Sequence, residues 1–215
     1  MLYLDTAKFD YLSERLPLGV FEGITTNPNI LSKEPGNRES ILENIIKLHP
    51  KSLFVQLVGS NFSEMMEDYA RIKELENKLH FKFKMKVPVS VEGIKVIKRL
   101  KSFNEEILGT VIYGSDQAII ASVVGCDYLA PYVNRMLRIG IDAYLQLEQM
   151  RQFIDDHDLS TKIIAASFKS TDEVTKAYQH GAHYVTVGEE VFEQMLHKEV
   201  VEEAIESFNR VSNHL

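Results

Sequence analysis

The most reactive pattern in this chain is a set of lysines spaced two residues apart. In Phe81-Lys82-Phe83-Lys84-Met85-Lys86-Val87, a strand of period two sends the three lysines to one face and Phe83, Met85 and Val87 to the other. Lys86 comes last, just before Pro88 ends the run. A lysine amine held in a partly desolvated site beside other cations has its charged form disfavoured, which leaves an amine able to attack a carbonyl carbon. That is the requirement of Schiff-base chemistry. The competing reading is an edge strand with a solvated lysine face.

Other polar residues gather where similar short runs stop. In chain order these are Asp5, then Thr25 and Asn27, Gln56, Lys86, Thr110, Tyr132 with Asn134 and Arg135, and Ser167 with Lys169. The last run ends at Val187-Gly188 and offers no such group. Each residue also has a structural reading. Thr25-Thr26-Asn27-Pro28 is a turn signal in its own right, and Gln56 and Thr110 suit satisfied core polar groups. Asp5 suits a cap for a helix opening at Thr6, and Arg135 and Lys169 suit a solvated surface. Their coincidence at one set of run ends favours a site.

The elements that must carry these residues follow from periodicity. Strand-like runs at Leu2–Asp5, Gly23–Thr26, Leu53–Leu57, Phe81–Val87, Ile107–Ile112, Tyr128–Ala130, Lys162–Ala166 and Tyr184–Val187 alternate with longer helical segments. Asn61 with Glu64, Ser90 after Pro88, and Ser170 with Glu173 are helix-start signals. This alternation implies βαβ units and a parallel sheet. The expected fold is α/β, a single (β/α)8 TIM barrel over residues 1–215, in which catalytic groups project from the C-terminal ends of the strands. A doubly wound open sheet would call for a glycine-rich loop after the first strand, and Asp5-Thr6-Ala7-Lys8 is not one.

Composition narrows the function. With 215 residues, 45% apolar and 26% charged, the chain is sized for one well-packed domain. A net charge of −7 argues against nucleic acid as a partner, since the short basic run Lys95 to Lys101 reads as a solvated helix face. Ala118 to Gly125, the longest apolar run, is too short to cross a bilayer, so no membrane partner is expected. The N-terminal Met-Leu-Tyr-Leu-Asp has no basic n-region, and the single cysteine, Cys126, permits no internal disulfide, so a cytoplasmic location is expected. His180 and His183 span a helix–strand junction and the histidines are otherwise scattered, so no metal site is expected. Neither a Gly-x-Ser-x-Gly elbow nor a Walker loop occurs.

Five collinear stretches together resemble one family. Leu-Tyr-Leu-Asp-Thr (2–6), Gly-Ile-Thr-Thr-Asn-Pro-Asn-Ile (23–30), Lys-Val-Pro-Val-Ser-Val-Glu-Gly (86–93), Ala-Pro-Tyr-Val-Asn-Arg (130–135) and Ala-Ala-Ser-Phe-Lys (165–169) are similar to the small transaldolases and, within them, the fructose-6-phosphate aldolases. The resemblance implies a covalent imine on Lys86, with no metal and no other cofactor. It implies that Asp5, Thr25, Asn27 and Asn134 hold substrate hydroxyls, and that Arg135 and Ser167 hold a phosphate. Lys169 joins these two on charge and proximity. Gln56 and Tyr132 stand where transaldolases proper carry glutamate and phenylalanine, which implies the aldolase branch. Tyr132 would then act as general acid/base through a water held by Gln56 and Thr110.

The implied activity is a class I aldolase acting on fructose 6-phosphate or a related ketose, from a dihydroxyacetone-type donor and glyceraldehyde 3-phosphate. A transaldolase of the pentose phosphate pathway is the alternative, and a noncatalytic sugar-phosphate-binding barrel the remote one. The implied partners are a small sugar or sugar phosphate and further copies of the chain, as a pentamer or decamer. A C-terminal helix at about 200–212, with Val201, Ile205 and Phe208 on one stripe, would reach the neighbour. Two features depart from the family pattern: the apolar stretch Met136 to Asp142, where an Asp/Gly-rich loop is usual, and the inward-facing Lys84.

Overall fold

The structure is a computed structural model that describes residues 1–212; the expected domain runs to 215, and positions 213–215 lie outside the described residues. Among the described residues eight parallel strands close into a barrel in sequence order, each followed by helix. The units are β1 (Leu2–Asp5) with α1 (Phe9–Arg15), β2 (Phe21–Thr25) with α2 (Pro28–Leu31) and α3 (Arg38–Ile46), and β3 (Leu53–Gln56) with α4 (Phe62–Leu79). Then come β4 (Lys84–Pro88) with α5 (Val91–Lys101), β5 (Ile107–Ile112) with α6 (Ser115–Val123), and β6 (Tyr128–Pro131) with α7 (Val133–Arg138) and α8 (Ala143–Asp156). β7 (Lys162–Ala165) with α9 (Thr171–Gln179), and β8 (Tyr184–Val187) with α10 (Glu189–Leu196) and α11 (Glu199–Ser212), complete the chain. The (β/α)8 expectation holds, and the open sheet does not.

Period-two alternation explains the two cores. Tyr3, Phe54, Leu108, Ala130, Tyr132, Ile164 and Ala166 fill the barrel interior. Their strand neighbours, such as Leu4, Val55, Met85, Val87 and Ile163, face the helices. The helices begin where the capping signals lie: Asn61, Ser90 and Ser170 each accept a hydrogen bond from the backbone N–H three residues on. Asp5 is not a cap, because α1 begins only at Phe9, after Lys8.

Strand four is shorter than its sequence run. The N–H of Phe83 donates to Glu76 Oε1 at 2.7 Å, and that of Phe81 to the Glu76 carbonyl at 3.3 Å. These bonds draw residues 81–83 toward the end of α4, so the ladder begins only at Lys84. The apolar stretch after Arg135 is likewise structural. Met136 is in the core with Leu137 and Ile141 packed against it, and Asp142 caps α8 through the N–H groups of Tyr144 and Leu145.

His183, just before β8, accepts the N–H of Ile163 at its Nδ1, 3.0 Å away, and so ties the entry to β8 to β7. Burial, with Arg151 and Lys162 nearby, lowers its pKa from 6.5 to about 4. The unfolded chain therefore binds more protons than the native state between these values, and stability must fall as pH drops from 6.5 towards 4. Denaturant melts across this window should show the loss, and His183→Asn, which keeps an acceptor without the proton site, should flatten it. An unchanged slope in the variant would remove His183 as the cause.

Candidate active site

The strand ends meet inside one mouth of the barrel, and Lys86 sits within it at only 2% exposure. Its register partners are Gln56 on β3 and Leu108 on β5. Its Nζ reaches the carbonyl of Thr26 at 3.5 Å. The other two lysines of the run part from it. Lys82 is exposed, and Lys84 turns inward at the opposite end of the barrel, against Glu106 Oε2 at 2.7 Å and Tyr128 Oη at 3.2 Å. Burial alone would pull the Lys84 pKa down, but its hydrogen bonds to Glu106 and Tyr128 outweigh this and the net shift is upward. A lysine so paired stays a cation, which is unsuited to attack.

Asp5, at the end of β1, is held by Thr25 on β2, whose Oγ1 donates to Asp5 Oδ1 at 2.6 Å. Thr25 Oγ1 also lies 2.6 Å from Thr186 Oγ1 on β8. Either hydroxyl can be the donor in that second bond. Burial raises the pKa of Asp5, against the opposing pull of Lys86, the Thr25 hydrogen bond, Arg135 and Lys33. Its net shift upward marks a carboxyl group poised to exchange a proton.

A second group forms on β5 and β6. Thr110 Oγ1 and Tyr132 Oη are 2.9 Å apart, a direct contact between two hydroxyls. The Arg135 guanidinium lies over the Tyr132 ring, 4.6 Å from its centroid, and Nη1 contacts Tyr113 Oη at 3.4 Å. Tyr113 also packs edge-on against Tyr132, with centroids 5.7 Å apart. Gln56 stands beside Lys86 rather than bonding Thr110 or Tyr132.

The remaining candidates are placed by turns. Asn27 caps α2, its Oδ1 accepting the N–H of Ile30 at 3.1 Å, so its amide nitrogen is the group left for a ligand. Asn134 Nδ2 donates to Glu173 Oε1 at 2.8 Å, and its backbone N–H to the carbonyl of Ser167. Ser167 is left-handed at φ 64°, a strained setting for a residue with a Cβ. Lys169 is exposed and lines a cleft with Asp5, Thr6, Lys33 and Gly188. Among the described residues no group of three or more His, Cys, Asp or Glu side chains gathers that could hold a metal ion.

Four contributors escaped the reading of strand ends. Thr186 was legible, since period two puts it on the same face as Tyr184, one residue short of the end of β8. Tyr113, Glu173 and Lys33 act from loops and helix starts, where no periodicity signals direction.

The sequence profile of the Transaldolase/Fructose-6-phosphate aldolase family matches residues 2–215. The chain belongs to this family. A Streptococcus pneumoniae protein named "probable fructose-6-phosphate aldolase" is 35% identical over 213 residues, covering 96% of this chain and 93% of the relative. A Symbiobacterium thermophilum protein named "probable transaldolase" is 30% identical over 207 residues, covering 96% and 94%. A Nitrosopumilus maritimus "probable transaldolase" is 28% identical over 208 residues. This member of the transaldolase/fructose-6-phosphate aldolase family is thus an enzyme of one of these two activities.

The raised pKa of Asp5 has a thermodynamic consequence. Above the ordinary carboxylate range the native state holds a proton that the unfolded chain has released, so the Asp5 contribution to stability declines as pH rises. Relative to Asp5→Asn, the wild type should lose stability as the pH is raised above about 4, the ordinary aspartate pKa. The same variant should lose activity by about 10²-fold, the usual worth of a positioned acid/base group. Parallel stability profiles for the two proteins would refute the upward shift.

Proposed function

We propose that this protein is a class I, metal-independent aldolase of the fructose-6-phosphate type. The observation that carries the reading is the Thr110–Tyr132 hydroxyl pair at 2.9 Å in the same mouth as the buried Lys86. A phenol can exchange a proton with the reacting carbons, and a phenyl ring cannot. The transaldolase reading remains the alternative within the family.

The reaction begins when Lys86 Nζ attacks the ketose carbonyl carbon; loss of water then gives an iminium. The bond between C3 and C4 breaks, its electron pair moving into the iminium to form an enamine, while the C4 hydroxyl passes its proton to the water beside Tyr132 and the aldehyde leaves. Tyr132 then delivers a proton to the enamine carbon, and water hydrolyses the imine to release the ketone. Asp5, Thr25, Asn27 and Asn134 hold substrate hydroxyls and Asp5 carries protons for the amine steps. Gln56 and Thr110 hold the water that Tyr132 works through. Arg135 and Ser167 take the phosphate, since a guanidinium gives bidentate charge-assisted bonds, with Lys169 as a further cation at the rim.

Trapping distinguishes the steps. Borohydride with fructose 6-phosphate should add mass to a peptide containing Lys86, and Lys86→Ala should abolish it. Tyr132→Phe should keep the labelling while slowing acceptor-free cleavage by about 10²-fold or more. If the wild type transfers efficiently to erythrose 4-phosphate and barely cleaves fructose 6-phosphate alone, the transaldolase alternative stands. Label on Lys84 in place of Lys86 would overturn the nucleophile.

Assembly belongs to the same reading. Helix α11 buries none of its residues, and Val201, Ile205 and Phe208 are 46%, 52% and 71% exposed. An amphipathic helix with its apolar stripe uncovered is stable when a second copy covers it. Light scattering at micromolar concentration should give a ring-sized oligomer, and Phe208→Asp with Ile205→Asp should reduce it towards the monomer. A monomeric wild type would refute the assembly.

A further inference from the structure

Among the described residues six non-glycine residues have left-handed backbone, and four of them, His49, His80, Asn104 and Asp158, lie in the turns that follow helices. Such turns commonly use this conformation. Val111 is different, because it lies inside β5 at φ 62° and is β-branched. A branched side chain there is a genuine outlier, strained unless its surroundings hold it. It coincides with a shift in the β5–β6 register between Gly109 and Ile112, so Val111 is the kink of a bulge.

The segment that carries the kink, from Thr110 to Tyr113, touches Tyr132. Thr110 meets its hydroxyl at 2.9 Å, and Tyr113 packs against its ring while contacting Arg135. One side chain spans the bulge. Gln117, on the first turn of α6, donates from Nε2 to the Val111 carbonyl at 3.2 Å and accepts the Tyr113 N–H at Oε1, 2.9 Å away. Both halves of its amide are therefore spent on the backbone of the distorted segment.

We infer that Gln117 is a positioning residue: its amide clamps the strained bulge at Val111 and so fixes Thr110 and Tyr113 around Tyr132. The inference rests on the proposed role of Tyr132 and adds a residue that never reaches the substrate. An amide is suited to this clamp because it donates and accepts at once at fixed separation. Glutamate would keep only the acceptor, and leucine would keep neither.

The strain supplies the test. Gln117→Leu should lower kcat for cleavage by about tenfold or more, the scale of a displacement of catalytic groups by a fraction of an ångström to one ångström, and should leave borohydride trapping on Lys86 little changed. Val111→Gly removes the cost of the left-handed backbone, so in that background Gln117→Leu should cost less than about threefold. The four proteins form a double-mutant cycle read as kcat, KM and trapping. Equal losses in both backgrounds, or a fall in trapping parallel to kcat, would overturn the clamp. If Gln117→Leu alone fails to fold, Gln117→Glu in both backgrounds supplies the same cycle. Wild-type protein inactive in both cleavage and transfer would instead sink the reading of the site, so the two failures are distinguishable.

Discussion

Placing an amine inside a closed barrel is the constraint on which the rest of this structure depends. Burying a polar group is costly unless partners hydrogen-bond it, and Lys86 is 2% exposed. The barrel sets the half-buried Asp5 carboxyl within electrostatic reach of Lys86 and steers Asp5 through a chain of hydroxyls from Thr25 to Thr186. Those partners arrive from β1, β2 and β8. Only closure of the sheet, with β1 paired to both β2 and β8, sets them side by side.

The same closure explains why two inward lysines on one strand have different fates. Lys84 enters at the aromatic end of the barrel, where Glu106 and the rings of Phe54 and Tyr128 hold it as a cation. Two residues on, Lys86 forms no salt bridge among the described residues and reaches the carbonyl of Thr26, with Gln56 as its register partner. One strand thus carries a paired charge below and, above it, the amine to which the proposed chemistry is assigned. The strained backbones follow a similar division: those after helices end helices, whereas Val111 and Ser167 lie at the strand ends of the mouth.

Helix α11 differs from the other helices in burying nothing. The remaining units spend their apolar faces on the barrel, whereas the stripe of Val201, Ile205 and Phe208 stays uncovered. Similar relatives share the chain over nearly its full length, so the added helix is part of the family's common span.

The sequence by itself determined the alternation of strands and helices, the caps at Asn61, Ser90 and Ser170, and the alternating faces that sent Lys86 inward, because these depend on neighbours a few residues away. It also marked most of the mouth, since a barrel makes strand ends converge. Only tertiary structure decided the start of β4, which the Glu76 carboxylate moved to Lys84, and the cleft that Lys169 lines with Asp5. It alone revealed Thr186 as a partner of Thr25 and Gln117 as the brace of the Val111 bulge. Those facts join residues up to 161 positions apart, or turn on a backbone angle that no local pattern of side chains encodes.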